Sequence, residues 1–167
     1  RRFKNDITDE TVRANFQERK ILRSSTTLSN AETDFLQYQQ ELKINAINAL
    51  NDGKPKEDFL FSVGIFKAFM SSPKAALESI LRRIKKVDAS KAKNEFASEN
   101  LEVLNDLKVK LETIINTHSD TKYKKLKETL LELGWTGIKK NDRYVIFAER
   151  INTLEYLKEM LQSDFNI

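Results

Sequence analysis

Apolar residues return at intervals of three and four along most of this chain, and that period constrains the fold more than any other feature. Leu104, Leu107, Leu111 and Ile114 keep a three-four-three spacing, and Tyr123, Leu126, Leu130 and Leu133 repeat it. Phe35, Tyr38, Leu42, Ala46 and Leu50 form a third stripe. Leu77, Ile80, Leu81 and Ile84 form a fourth, and Ile151, Leu154, Leu157 and Leu161 a fifth. Residues at such spacing lie on one face of an α-helix and need an apolar partner. Only 4 Gly and 2 Pro occur in 167 residues, too few for the tight turns of an all-β fold. The expected class is therefore mainly α, a helical bundle of about six helices.

The breaks between stripes place the helices. Ser29 or Asn30 caps a helix over 31–51, with Glu32 in its first turn. Asn51-Asp52-Gly53-Lys54-Pro55 stops it. Residues 56–71, with Phe59, Phe61, Phe66 and Phe69, are apolar nearly all round, which predicts a helix in the middle of the assembly. Ser72 then caps a helix that starts at Pro73. Residues 91–117 and 120–133, joined through Thr117-His118-Ser119, predict a long antiparallel helical hairpin. Gly134-Trp135-Thr136-Gly137 breaks the second arm, and Trp135 is expected to anchor packing nearby. Two short strands are expected besides: one within 18–29, β-branched and hydroxyl-rich, and one at Tyr144–Ala148, wholly apolar and so buried on both faces. A helix over 151–162 follows.

Several chemistries are excluded or unsupported. Cys is absent, so there is no disulfide, thiolate ligand or thiol nucleophile; this fits a reducing, cytoplasmic compartment. No run approaches the roughly 18 apolar residues of a membrane span, so no membrane partner is expected. Gly53-Lys54 stands without the rest of a phosphate loop. The single histidine, His118, falls in a loop and builds neither a multi-histidine metal site nor a triad. No catalytic or metal-binding residue is assigned.

Charge is more informative. The net charge is +4. Arg82, Arg83, Lys85, Lys86, Lys91 and Lys93 cluster with only Asp88 against them, and Lys122, Lys124, Lys125 and Lys127 form a second group. Two readings fit the first cluster: contact with nucleic-acid phosphates, or a solvated outer helix face.

Three segments together resemble a known family. Arg1-Arg2-Phe3-Lys4-Asn5-Asp6-Ile7 resembles the segment that closes the first motor lobe of Swi/Snf-type superfamily 2 ATPases. Asp120-Thr121-Lys122 with Leu126, Leu130 and Leu131 resembles the helix that precedes their second lobe. Tyr144 through Leu157 resembles helicase motif IV, the first strand and helix of the C-terminal RecA-like lobe. The Phe69-Met70-Ser71-Ser72-Pro73 break is similar to a segment of members related to the RapA group.

The resemblance implies a division into 1–29, closing the first lobe with a connecting strand; 30–118, the inter-lobe helices; and 119–167, opening the second lobe. The one or two strands would then belong to a RecA-like lobe. It implies a parent that hydrolyses ATP with Mg2+ to move along double-stranded DNA or RNA, with this chain a piece of it, and no cofactor held here. The chain's partners would be the remaining RecA-like lobes and duplex DNA. Carried over by position, Arg150 and Thr153 become candidates for the nucleic-acid backbone, beside Arg82, Arg83, Lys85 and Lys86; capping by Asn152 or Thr153 is the simpler role. The competing readings are a stand-alone helical protein-interaction module, suggested by the seam spacing, and an independent nucleic-acid-binding domain.

Overall fold

The computed structural model describes residues 21–41, 45–51, 54–90, 97–137 and 144–167; of 45–51 and 54–57 only the backbone is described. Its helices are α1 (Asn30–Glu41), α2 (Phe59–Ser71), α3 (Pro73–Ser90), α4 (Ala97–Asn116), α5 (Thr121–Glu132) and α6 (Ile151–Phe165). The chain is mainly helical, as its periodicity predicts. None of these helices is long and apolar enough to cross a membrane. The Arg1–Ile7 segment, Lys91 and Lys93 lie outside the described residues.

The core is built by α1, α2, α3 and α4. Phe35, Ile65, Ile80, Val87, Leu104, Leu107, Leu111 and Ile114 are fully buried in it. Phe35 and Phe69 meet with ring centroids 4.6 Å apart. Polar straps tie α1 to α4 across the surface of this core. The Tyr38 hydroxyl donates to Asp106 at 2.7 Å, and Lys110 reaches Asp34 at 2.6 Å while lying 4.8 Å from the Tyr38 ring centroid. Burial first, and the Asp106 carboxylate next, push the Tyr38 hydroxyl up to about 12.

Four expectations need correction. Of the helix expected over 31–51, the described part ends at Glu41 and 42–44 lie outside the described residues; Asn45–Asn51 (β1) instead pairs antiparallel with Lys54–Glu57 (β2), Asn51 opposite Lys54. The residues between those partners are Asp52-Gly53, a dipeptide that favours hairpin closure, and three asparagines in 45–51 weaken the competing helix. Secondly, α2 is not central. Ile65, Ala68 and Phe69 are buried, whereas Phe59 is 71% and Leu60 83% exposed. Among the described residues α3 covers most of it, with smaller contributions from α1 and, at its C-terminal end, from Lys122 and Thr153, and Phe59 and Leu60 stay open.

Thirdly, α4 and α5 are joined by a short turn but do not lie along one another. The α4 seam packs on α3 and α1, while Tyr123 and Leu130 of α5 join Leu161 of α6 in a second cluster with Leu126, Ile146 and Leu157. Trp135 anchors that cluster against Phe165, ring centroids 4.9 Å apart. Finally, neither expected RecA-like strand forms a ladder. Residues 21–29 have no regular structure and are mostly exposed, and 18–20 lie outside the described residues. Residues 144–148 are also irregular, with Val145 71% and Phe147 91% exposed. A strand needs a neighbour to satisfy its backbone, and none is present beside 144–148 among the described residues.

Candidate functional site

Four helices begin close to one another, and their starts carry four of the buried polar residues among those described: Glu32, Ser72, Asp120 and Thr153. An α-helix start exposes unpaired N–H groups and a partial positive charge. At α1 these are met by a reciprocal capping box: Glu32 accepts from the Ser29 N–H at 2.7 Å, and Ser29 Oγ accepts from the Glu32 N–H at 3.2 Å. At α3, Ser72 Oγ accepts from the Ala75 N–H at 3.1 Å, with Pro73 in the first turn where its missing donor costs nothing. At α5, Asp120 accepts from the N–H groups of Lys122 and Tyr123 at 3.0 and 3.1 Å. At α6 the cap position is Arg150, which makes no side-chain cap bond.

These starts are stitched together. The Glu32 carboxylate reaches 89 residues along the chain to accept from the Thr121 N–H at 3.2 Å and its hydroxyl at 2.8 Å. Thr153 Oγ1 lies 2.7 Å from Ser71 Oγ and 2.9 Å from Ser72 Oγ, the hydroxyls sharing protons between them. The Lys122 ammonium donates to the Met70 carbonyl at the end of α2. Tyr156, one helical turn after Thr153, is buried beside Asp120. Its hydroxyl is close enough to feel the carboxylate but falls short of hydrogen-bond geometry.

The node holds two buried carboxylates, Glu32 at 2% and Asp120 at 4% exposure. Burial raises the Asp120 carboxyl above its ordinary value; the Tyr123 N–H opposes this, and the Glu32 charge adds to it. Burial, then the Asp120 charge, pushes the Tyr156 hydroxyl up. On the far side of α5 the Tyr123 hydroxyl donates to Asp164 at 2.5 Å and Lys127 pairs with it at 3.0 Å; these hold the Asp164 carboxyl below its ordinary value. Chemically the node is a rivet. Its donors and acceptors are mostly spent on one another, so it joins the first core to α5 and α6.

The residues expected from sequence to meet nucleic acid do not converge. Arg82, Lys85 and Lys86 are exposed on α3, and the Arg82 Nε donates back to the Glu78 carbonyl at 3.3 Å. Arg83 turns inward: it pairs with Asp58 at 2.7 Å and lies 4.5 Å over the Phe61 ring, bracing the α2 start that Asp58 caps. Twelve residues of helix, about 18 Å, separate Pro73 at the node from Lys85. Arg150 is half-buried at the α6 start, and Thr153 is buried with its hydroxyl engaged. Neither Asn152 nor Thr153 caps α6.

Glu32 and Asp120 are the residues that sequence reasoning missed as a pair. Their capping roles are legible in Ser29-x-x-Glu32 and in Asp120 before a helical stripe, but the reach of Glu32 to Thr121, 89 positions on, which sets it beside Asp120, is not. The chain has no phosphate loop, and among the described residues no three of His, Cys, Asp and Glu gather to hold a metal. Compared with protein-family models, curated proteins and solved structures, the chain matches none.

Proposed function

We propose that this chain is the inter-lobe part of a Swi/Snf-type, ATP-dependent nucleic-acid translocase, and that its role is to brace the motor. Residues 1–29 would close the first lobe, 30–118 would form the inter-lobe helices, and 119–167 would open the second lobe. The observation that carries this reading is the node. The segments that resemble the family around Ser71-Ser72-Pro73, Asp120-Thr121-Lys122 and Thr153 are far apart in sequence, yet they meet through direct hydrogen bonds and buried carboxylates. A rivet of this kind transmits the position of the inter-lobe helices to the first helix of the next lobe.

The open apolar side chains of Val145 and Phe147 agree with the same reading. In a RecA-like lobe that segment would be a strand covered on both faces. The seam that suggests a stand-alone interaction module is consumed internally, since Leu104, Leu107, Leu111 and Ile114 are fully buried. The test is ATP hydrolysis by the full-length protein that contains this chain. Hydrolysis stimulated by duplex DNA, and reduced by Thr153→Val without loss of ATP binding, is the expected result. A full-length protein with no nucleic-acid-stimulated hydrolysis overturns the reading.

A further inference from the structure

We infer that the open face of α2 is a contact between two copies of this chain, the two helices lying antiparallel about a two-fold axis. This goes beyond the translocase reading and does not rest on it. Phe59, Val63, Phe66 and Met70 follow one another at spacings of four, three and four, the period of a seam between helices. The inward face of the same helix carries Ile65, Ala68 and Phe69, so this stripe is a second apolar side. Phe59 is 71% exposed, and Phe66 and Met70 are 40% and 43% exposed. Leu60, 83% exposed, stands on one flank of the stripe, with exposed Lys67 two turns further along that flank. No charged residue stands in the stripe itself.

A second copy is the occupant because the stripe is its own complement. Its spacing reads the same in both directions. Turned end for end about a point between Gly64 and Ile65, Phe59 meets the second copy's Met70 and Val63 meets the second copy's Phe66. Each of these positions then has an apolar partner, as a self-complementary two-fold contact requires. With 13 residues α2 is about 20 Å long, and a seam of this period crosses its like at about 20°, so all four positions engage. The same turn sets Lys67 beside the second copy's Leu60, where its methylene stem covers the leucine and its ammonium stays in water. It also places each helix start near the other's end, where the dipoles attract. With about 150–250 Å2 for a whole aromatic side chain, the exposed groups present about 450 Å2 per copy. A patch of that size is the kind that marks a contact site. Two copies would bury about 900 Å2, below the roughly 1,200–2,000 Å2 of stable complexes and within the range of weak, reversible ones.

The test is sedimentation equilibrium of the whole chain from about 1 to about 300 µM, which spans micromolar association. The expected result is a reversible equilibrium between monomer and dimer in that range. Phe59→Glu and Met70→Lys each set a charge against an apolar residue of the second copy. Both positions are exposed, and each charge suits its end of the helix dipole, so the fold is kept; circular dichroism checks this. Either substitution alone should weaken the dimer about tenfold. Combined in one chain, the two charges lie about 16 Å apart along their own helix but face each other across the two-fold axis. The double variant should therefore associate several-fold more tightly than either single variant, and lose that gain at high salt. A chain that stays monomeric throughout assigns the face to a different body and overturns the inference. A dimer that neither single variant weakens lies on another surface, and a double variant no tighter than the single ones excludes the antiparallel register; each of these overturns it too. Hydrolysis in the full-length protein judges the translocase reading separately, so the two fail independently.

Discussion

Removing one hydroxyl at the node is the sharpest test of whether it is a rivet. Thr153→Val keeps the shape of the side chain and deletes only the oxygen that lies 2.7 and 2.9 Å from the Ser71 and Ser72 hydroxyls. Ser72 still accepts from the Ala75 N–H, but whichever hydroxyl donates between it and Thr153, that hydrogen bond is lost in a site that is almost fully buried. A buried polar group left without a partner costs about 1–3 kcal/mol, so the expected loss is about 2 kcal/mol. For a chain of this size each kcal/mol moves Tm by roughly 2–4 °C, which gives a fall of about 4–8 °C. Ser72→Ala alone should cost about as much, because it also removes the α3 cap. The double variant removes both partners of the Ser72–Thr153 bond, so that bond is counted once rather than twice and its loss should fall short of the sum by about 1 kcal/mol. Thermal melts followed by circular dichroism measure all three. Losses that add within about 0.5 kcal/mol, or a Thr153→Val variant that melts with the native chain, would refute the reasoning.

Three further predictions concern other parts of the same architecture. Folding raises the Asp120 carboxyl above 3.8, so the native state binds that proton more tightly than the unfolded chain, and this group's contribution favours folding more as pH falls through the raised value. Asp120→Asn keeps the capping oxygen and removes the charge; it should melt above the native chain at pH 7, with the gap closing toward about pH 4. A variant that melts lower at pH 7 would mean the charge is favourable there. His118 adopts φ 50° where the α4 end closes through His118 N–H to Ile115 C=O and Ser119 N–H to Ile114 C=O, a position that suits glycine; His118→Gly should raise stability by up to about 1 kcal/mol, read from urea midpoints. Leu107→Ala, in the closed core, should cost about 2–5 kcal/mol, whereas Leu60→Ala on the open face of α2 should cost under about 0.5 kcal/mol in the same assay.

What the chain reveals in sequence is what local physics decides. The α4 seam, the Ser72-Pro73 start of α3, the Ser29–Glu32 box and the break at Gly134 are each settled within a turn or two of helix, and each is legible. The failures share the opposite cause. A stripe such as Phe35 to Leu50 shows that a face is apolar but not where the backbone leaves the helix, and Asp52-Gly53 competes for the same residues. An all-apolar segment such as 59–71 shows that burial is favourable, not that the chain supplies enough partners to bury it. Tyr144–Ala148 is the same case in β form: its pattern is that of an inner strand, and the neighbours such a strand needs are not beside it among the described residues. Both misfits point the same way. The open face of α2 and the open side chains of 145 and 147 are surfaces whose sequence asks for cover, while most of the polar groups that bind the two halves are paired with one another. A part that is tightly riveted inside and apolar at its margins is what a brace between larger bodies requires. Rigidity across the node and adhesion at the margins would, on the proposed reading, make helices that sit between two lobes move as one unit.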